Sequence, residues 1–401
     1  MMRNKVKLIL FFFLLVNVIA FSQSKMVVTY YPDSNQIREQ YEVLVSKNNT
    51  ELRQGFYTIF YENGQVWQKG KFSRGKLDSI WIDNYKSGQR KQILSYSKGL
   101  LEGLTITFYE SGDTNQIIPY KHDIIDGTLK IFYESGSLME KTVYKHDKPN
   151  GVSISYFENG VVQAKRELRN GLENGESISF FDNGFIKEKS TKQFGMYQGY
   201  LEAYYKDCTN GCISKSCYYN NNLLSGDFTG YYPNGNVMIE CNYVANQIEG
   251  EYISYYMKDD SLVFKTKQIK EEGQYLHNQK TGIWKSYNYS GQLYTKGNYR
   301  HDKFDGLWLV YYSDGTVKQK GYYLDGLATG EWEIYYPNSK LKNKGNYLAD
   351  NKEGLWETYY DTGELMTTIN FVHGIRQGLS KGFDKEGKCV EEVVYKNGEK
   401  L

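Results

Sequence analysis

A glycine returns every 24 residues through most of this chain, and this spacing constrains the fold more than any other feature of the sequence. With that glycine as position 0, the repeats begin at Gly55, Gly103, Gly127, Gly151, Gly175, Gly199, Gly226, Gly250, Gly282, Gly306, Gly330, Gly354 and Gly378, and Ser79 takes the same place between the first two. Insertions near residues 208–212 and 257–272 lengthen two of the steps. A repeat this short cannot bury an apolar face alone, so the period predicts that neighbouring repeats stack.

Each repeat contains the sequence signature of a β-hairpin. Asn-Gly or Asp-Gly stands at positions 8 and 9 of several repeats, as in Asn63-Gly64 and Asp314-Gly315. Such dipeptides favour a two-residue type I′ turn between paired strands. With that turn, the numbers of facing positions add to seventeen, so position 2 faces 15, position 6 faces 11 and position 0 faces 17.

This register predicts an aromatic face on the sheet. Position 2 holds five of the six tryptophans, namely Trp81, Trp284, Trp308, Trp332 and Trp356. Most of the later ones face a glycine at position 15, such as Gly321 opposite Trp308, so we expect the ring to lie over the glycine of its own hairpin. Tyrosine at position 17 faces the glycine at position 0 in the same way. The repeats from Gly103 to Gly199 lack tryptophan at position 2, and we expect looser packing there.

The opposite face is predicted to be polar and exposed to solvent. Side chains at positions 5 and 14 have the other parity of the pleat and should stand together on this face. We expect the position 5 tyrosines to be half-buried beside the lysines, which makes them a candidate binding face. Its members are Tyr287, Tyr311, Tyr335, Tyr359, Lys296, Lys320 and Lys344.

Together these patterns predict an all-β fold, an elongated single-layer antiparallel sheet of stacked 24-residue hairpins. Residues 55–401 form an array of about 14 repeats, and residues 23–54 form an N-terminal cap with a degenerate half repeat at residues 29–33.

The N-terminus predicts export. Arg3, Lys5 and Lys7 precede an apolar run from Leu8 to Phe21, so residues 1–22 have the pattern of a signal peptide. No later run is long enough for a membrane-spanning helix, and we expect no transmembrane segment in the mature chain. Lys and Arg number 49 against 47 for Asp and Glu, which gives no field that favours nucleic acid. The predicted location is the periplasm, the cell surface or the medium.

The repeat pattern Gly-x-Trp-x-x-Tyr-Tyr-x-x-Gly-x-Leu, followed by Lys-Gly-x-Tyr, resembles the MORN repeat, and most closely its bacterial variant in the YwqK-type antitoxin proteins. The resemblance runs from about Gly55 to Leu401 and is sharpest between Gly282 and Gly363. It implies a meandering sheet of stacked hairpins and a role in protein or lipid contacts, without catalytic residues.

The residues with metal or acid–base chemistry follow the repeat. All five histidines, His122, His146, His277, His301 and His373, fall at position 19, in the turn between repeats. Consecutive ones would lie roughly 10 Å apart, too far to share a metal ion. Turn carboxylates such as Asp78, Asp126, Asp302, Asp305 and Asp350 lack the ligand spacing of a Ca²⁺ loop and are interpreted as solvated turn residues. We therefore predict neither an enzyme nor a metal or cofactor site.

The five cysteines predict one disulfide. Cys208 and Cys212 flank a hairpin tip and are the candidate pair. Cys217 and Cys241 share position 15 of successive repeats, roughly 10 Å apart and beyond bridging distance. Cys389 takes a position that otherwise holds Val or Leu, and we expect it to be buried.

The functional hypothesis is an exported scaffold that binds a protein partner. Two alternatives remain open. The chain could give immunity against an envelope or incoming toxin, or its tyrosines could bind cell-wall glycan.

Overall fold

The computed structural model describes residues 21–208, 211–257 and 267–401. All regular structure in these ranges is β-strand. The predicted signal peptide lies outside the described residues except for its last two positions, which begin the first strand, and most of the second insertion lies outside them as well. The chain divides into two compact units, unit 1 at residues 1–172 and unit 2 at residues 173–401.

The described residues of unit 1 form fourteen strands. They are β1 (Phe21–Tyr30), β2 (Ile37–Ser46), β3 (Glu51–Phe60), β4 (Val66–Ser73), β5 (Lys76–Asn84), β6 (Arg90–Ser97), β7 (Leu100–Leu101), β8 (Gly103–Phe108), β9 (Thr114–Lys121), β10 (Ile124–Ile125), β11 (Gly127–Phe132), β12 (Leu138–Lys145), β13 (Lys148–Tyr156) and β14 (Val162–Arg169).

The remaining strands belong to unit 2, although the first of them begins at the last residue of unit 1. They are β15 (Leu172–Phe180), β16 (Ile186–Gln193), β17 (Met196–Tyr204), β18 (Ile213–Asn220), β19 (Leu223–Tyr231), β20 (Val237–Val244), β21 (Gln247–Tyr255), β22 (Ile269–Leu276), β23 (Gln279–Tyr287), β24 (Leu293–Arg300), β25 (Lys303–Tyr311), β26 (Val317–Leu324), β27 (Leu327–Tyr335), β28 (Leu341–Leu348), β29 (Asn351–Tyr359), β30 (Leu365–Val372), β31 (Ile375–Arg376), β32 (Gly378–Phe383), β33 (Cys389–Lys396) and β34 (Glu399–Lys400).

Within each unit the strands form one antiparallel sheet in which neighbours along the chain pair with each other. Every predicted repeat start lies on the first strand of a hairpin, and the prediction of an all-β fold of stacked antiparallel hairpins is confirmed. Residues 29–33 are more than the expected half repeat, because β1 and β2 form a complete hairpin whose second strand pairs with β3.

The predicted type I′ turn is wrong. In the Gly306 repeat, the amide of Gly315 donates to the carbonyl of Tyr312 at 3.0 Å, and Gly315 alone has a positive φ, +87°. This is a type I turn closed by a left-handed glycine, and it adds a bulge to the strand that follows. Asp314 is favoured for a different reason: its carboxylate accepts the amide of Thr316 at 2.9 Å.

The bulge shifts the register next to the turn by one residue. Tyr311 at position 5, and not Tyr312 at position 6, faces Val317. Beyond the bulge the predicted register is correct, and Trp308 faces Gly321. The hydroxyl of Tyr312 instead reaches the next repeat and donates to the carbonyl of Tyr335 at 2.7 Å. The same bond to the next repeat is made by Tyr61, Tyr85, Tyr109, Tyr133, Tyr205, Tyr232, Tyr256, Tyr336 and Tyr360.

Each tryptophan ring at position 2 lies over a glycine, but that glycine belongs to the preceding repeat and not to its own hairpin. A Cβ added to Gly321 would overlap the ring of Trp332, with even Cε3 only 2.7 Å away. The indole N–H of Trp332 donates to the carbonyl of Tyr322, also in the preceding repeat, at 3.2 Å. The ring therefore closes the boundary between two repeats. The same overlap is found at Gly70, Gly273, Gly297 and Gly345.

Glycine is required at position 0 for a different reason. Gly306 has φ +81°, and a Cβ there would meet no atom within 4 Å. Tyr323 faces it in the register but does not cover it. Backbone conformation, and not space for a ring, therefore requires glycine at this position.

Aromatic rings form a continuous strip along this face in unit 2. The centroids of Tyr323 and Trp332 are 5.1 Å apart, those of Trp332 and Tyr347 5.2 Å, and those of Tyr347 and Trp356 5.1 Å, all in edge-to-face geometry. Such pairs add to the free energy gained from burial itself. This strip is the main core of unit 2, and Ala328 and Phe371 are buried with it.

Several repeats without tryptophan place small polar groups on the same side, while Leu129 and Leu201 are buried at position 2 in two others. Thr105, Thr142, Ser153 and Ser190 are all buried. Thr142 donates to Ser153 at 2.7 Å, whereas the hydroxyl of Thr105 has no partner in the part of the chain that the structure describes. This side of the sheet is thus covered but gains less from apolar burial than in the tryptophan repeats.

Turns between repeats are joined by a reciprocal pair of bonds. The amide of Asp350 donates to the carbonyl of Ala328 at 3.0 Å, and its carboxylate accepts the amide of the same residue at 2.6 Å. Asp302 does the same with Lys280. These two predicted solvated carboxylates therefore have a structural role, because they satisfy the backbone of the preceding turn. All five histidines lie in such turns with φ between +48° and +53°.

Candidate functional site

Positions 3 and 14 pair directly across successive strands and form one row on the face opposite the tryptophans, which we call the 3/14 row. In unit 2 the row passes through Lys296, Leu309, Lys320, Glu333 and Lys344. Position 5 lies two residues beyond position 3 on the same strand and therefore on the same face. The structure thus places the tyrosines and lysines of the candidate binding face side by side.

Three of the four tyrosines are engaged with carboxylates. The hydroxyl of Tyr287 donates to Glu272 at 2.8 Å and that of Tyr359 to Glu357 at 2.8 Å, while Tyr335 donates to Glu333. Burial, followed by the hydrogen bond to Glu357, raises the pKa of Tyr359 to about 12. These three rings are half-buried, as predicted, but their hydroxyls are already bound within the chain.

Two of the three lysines are engaged as well. Lys320 pairs with Glu333, and Lys344 pairs with Glu331 at 2.5 Å and with Glu333 at 3.6 Å. Burial alone would raise the pKa of Glu333, but the hydrogen bonds from Lys320 and Tyr335 outweigh it and hold the pKa below its ordinary value. Glu333 is therefore the centre of a small charged network.

Tyr311 and Lys296 are the members of the face left without such a partner. Leu309 stands where Glu333 and Glu357 stand in the next two repeats, so no carboxylate lies beside Tyr311 on its own strand. Among the described residues, neither the Tyr311 hydroxyl nor the Lys296 ammonium has a hydrogen bond or ion pair. The two groups are available to an outside partner.

Sequence reasoning missed the apolar residues on this face. Leu307 is 42% exposed and pairs across the hairpin with Tyr322, which is 47% exposed. Ile283 and Leu355 occupy the same position 1 in other repeats and are at least half exposed. The signal was in the sequence, because position 1 has the same parity as positions 3 and 5. We call Tyr311, Lys296, Leu307 and Tyr322 the Tyr311 patch.

The cysteines divide into one bridge and three free thiols. Cys208 and Cys212 form a disulfide, with Cα atoms 5.6 Å apart. Cys217 and Cys241 are free and lie on either side of Phe228, and burial raises the pKa of the Cys241 thiol to about 11. Cys389 is exposed, and its predicted burial is wrong. It lies on β33, and among the described residues only β32 pairs with the strand at this position.

In the part of the chain that the structure describes, no group of three His, Cys, Asp or Glu residues could hold a metal ion. Over the same ranges no helix has the length and hydropathy needed to span a bilayer.

The Glu333 network predicts a pH-dependent contribution to stability. We expect Glu333→Gln to lower the free energy of unfolding at neutral pH by about 1 kcal/mol, since Lys320 is partly exposed and the pair is screened by solvent. Because the pKa of Glu333 is depressed in the folded state, its contribution is complete above its ordinary pKa and is lost as the pH falls through the folded value. Urea unfolding between about pH 7 and about pH 3 measures this, and the difference between the two proteins should close in acid.

Glu331→Gln is the matched control, because Glu331 touches Lys344 at an exposed site and makes no bond to a tyrosine within the described ranges. It should cost less at neutral pH. A stability difference for Glu333→Gln that stays constant across the titration would contradict the network.

Similarity to solved structures is weak. The TcdB2-TccC3-Cdc42 crystal structure aligns with 93% of this chain and 22% of that chain at 10% identity, with a TM-score of 0.16. TcdB2-TccC3 without its hypervariable C-terminal region aligns at 11% identity, 93% and 22% coverage and a TM-score of 0.17, and the Photorhabdus luminescens Tc holotoxin pore at 10%, 94% and 22%, and 0.17. The chain spans about a fifth of the length of these chains, and TM-scores this low do not indicate a shared fold. No curated protein matches the sequence.

Comparison with protein families gives a clear result that agrees with the hairpin geometry. The family described as MORN repeat variant matches nine segments, at residues 53–73, 101–122, 125–146, 149–170, 224–245, 280–301, 304–325, 328–349 and 352–373. Eight of these matches span 22 residues, and each covers most of one 24-residue step. This chain is a protein of the MORN repeat family.

Proposed function

We propose that this protein is an exported, non-catalytic scaffold that binds a protein partner through the Tyr311 patch. The proposal rests on a difference in bonding between the residues of the candidate binding face. Most tyrosines and lysines there are bound to carboxylates of the chain, whereas Tyr311 and Lys296 are not, and Leu307 and Tyr322 beside them are exposed.

The chemistry of the patch defines the partner surface. Lys296 and Lys320 flank Leu309 on the 3/14 row, so the partner offers a carboxylate near an apolar side chain. Tyrosine supplies contact area at small entropic cost and one hydroxyl for a directional bond. An envelope or incoming toxin with such a surface would make the protein an immunity factor, which is the same binding activity applied to one class of partner.

Affinity purification from envelope and medium fractions tests the proposal, with the wild type compared with the double variant Lys296→Glu and Leu307→Asp. We expect a partner that is recovered with the wild type and lost with the double variant. The matched control is Lys318→Glu, which makes the same substitution as Lys296→Glu in the neighbouring repeat but lies beside the ring of Tyr312. Equal recovery with all three proteins, or recovery of nothing, would refute the Tyr311 patch as a protein-binding site.

Binding of cell-wall glycan is a second candidate. A tyrosine ring with a carboxylate beside it recurs at Tyr335 and Tyr359, and this combination suits the faces and hydroxyls of sugars. Sedimentation with purified peptidoglycan, abolished in the triple variant Tyr311→Ala, Tyr335→Ala and Tyr359→Ala, would favour this function over protein binding.

A further inference from the structure

The 3/14 row has a different character in unit 1. From β4 to β14, the directly paired residues are Lys69, Ile82, Ile93, Ile106, Ile117, Lys130, Lys141, Ile154 and Lys165. Four neighbouring strands thus carry isoleucine, whereas the row in unit 2 alternates lysine and glutamate from Lys320 to Glu357. The face that carries charged residues in unit 2 is apolar at the centre of unit 1.

The residues around this row are apolar and open to solvent. Position 1 of the same repeats holds Phe56, Ile80, Leu104 and Val152, which are 68%, 52%, 49% and 39% exposed. On β8, Leu104, Ile106 and Phe108 alternate with Thr105, which is buried on the tryptophan side. We call this surface the unit 1 apolar face, made of Phe56, Ile80, Ile82, Ile93, Leu104, Ile106, Ile117 and Val152.

Lysine is the commonest charged residue on this face. Lys69 and Lys71 lie at one end, Lys130 and Lys141 lie between Ile117 and Val152, and no ion pair involves any of the four lysines among the described residues. From Phe56 to Tyr156, no residue at positions 1, 3, 5, 14 or 16 is a carboxylate. Carboxylates lie just outside these positions, since Asp78 pairs with Lys71 and Glu167 pairs with Val152.

The chain carries the complementary charge in the first repeats of unit 2. Position 1 there holds Glu176, Asp227 and Glu251, all exposed, with Tyr200 between them at 64% exposure. No ion pair involves these three carboxylates within the described ranges. Asp227 and Glu251 are one repeat apart, and Glu176 and Asp227 are two repeats apart. One repeat advances the sheet by roughly 10 Å, which is also the spacing between repeats on the unit 1 apolar face. We call Glu176, Tyr200, Asp227 and Glu251 the acidic segment.

We propose that the occupant of the unit 1 apolar face is a second copy of this chain, docked through its acidic segment. The isoleucine row and Leu104 bury apolar surface against Tyr200, and the lysines of the face meet the carboxylates of the other copy. Because the two surfaces differ, the contact is heterologous: it closes into a ring or dimer, or it continues as a filament. This self-association is independent of the protein partner proposed above.

Sedimentation velocity over a range of protein concentration tests the inference at low and at high ionic strength. The wild type should associate as concentration rises, and more weakly in high salt because the flanking charges are screened. Ile106→Lys should remain monomeric. Thr368→Lys is the matched control, since it introduces the same charge on the same row, between Glu357 and Lys381, away from both surfaces. It should associate like the wild type, and circular dichroism checks that both variants are folded.

A charge exchange identifies the partner surface. One variant replaces Lys69, Lys71, Lys130 and Lys141 by glutamate, and the other replaces Glu176, Asp227 and Glu251 by lysine. Each variant should be monomeric alone. A mixture of the two should associate again, because the first variant keeps the acidic segment and the second keeps the lysines of the unit 1 apolar face. A wild type that stays monomeric at all concentrations, an Ile106→Lys variant that associates normally, or a mixture that does not recover would each overturn the inference.

Discussion

Gly321→Ala is expected to destabilise unit 2 by about 1–3 kcal/mol, the usual cost of forcing extra volume into a packed site. The backbone of Gly321 has no positive φ, so alanine would meet no backbone strain there. An added methyl group also restricts the unfolded chain, which by itself favours the folded state by about 0.4–1 kcal/mol. The loss must therefore come from the Trp332 ring, which occupies the space of the new Cβ. Urea unfolding followed by circular dichroism measures the effect.

Gly382→Ala is the matched control for this prediction. Gly382 is also in a strand without positive φ, but the atom nearest to an added Cβ lies 3.4 Å away, on Glu391. This variant should be neutral or slightly stabilised. In a Trp332→Ala background, Gly321→Ala should lose most of its cost. Equal costs with and without the ring would show that the tryptophan does not set the requirement for glycine.

Trp81→Ala is expected to produce the larger loss, about 3–5 kcal/mol, in unit 1. Trp81 is 2% exposed and packs edge-to-face against Phe72 at 5.1 Å between centroids. Its indole N–H donates to the carbonyl of Lys71 at 3.2 Å. The substitution thus removes a ring, a hydrogen bond and the cover of Gly70 together. Hydrogen exchange of the amides in β4 and β5 reports the loss locally, which is necessary because a repeat protein can open in parts.

Trp67→Ala is the comparison within the same unit, since Trp67 is the one tryptophan outside position 2. It is 46% exposed and stacks on Tyr61 at 5.7 Å. We expect a loss of less than about 1 kcal/mol and little change in exchange. Similar effects of the two substitutions would mean that burial at position 2 does not govern the stability of the unit.

Much of the fold could be predicted from the sequence because the repeat supplies many examples of one geometry. The glycine period, the hairpin and the pairing of Trp308 with Gly321 follow from the side-chain period of two. The turn type could not, since Asp314-Gly315 fits either a type I′ turn or a type I turn with a bulge, and the carboxylate bond to Thr316 selects the second.

The direction of the tryptophan rings was accessible but was missed. Trp81 and Trp356 face Leu94 and Ile369 in their own hairpins, so neither has a glycine there. In contrast, every tryptophan at position 2 follows a repeat with glycine at position 15, from Gly70 before Trp81 to Gly345 before Trp356. Weighing all five tryptophans, and not only the later ones, would have assigned each ring to the preceding repeat.

The candidate binding face was predicted in position but not in chemistry. Parity places Tyr335 and Lys320 on one side of the sheet, and the structure places them there. Parity says nothing of Glu333, whose bonds to both depend on side-chain conformation. The isoleucine row of unit 1 was overlooked because the later, more regular repeats defined the pattern for the whole array.

The placement of each ring on the repeat before it gives the array a polarity that matters for how such a gene changes length. Duplication or loss of one whole 24-residue segment among the tryptophan repeats recreates an identical junction, so the number of repeats can drift without a compensating substitution. The junction at the C-terminal end of the tryptophan repeats differs from the others. The last tryptophan repeat has Ile369 at position 15 in place of glycine. The next repeat, which begins at Gly378, has Ser380 at position 2 in place of tryptophan. The repeat that follows Ile369 thus lacks both the ring and the glycine that the ring would cover.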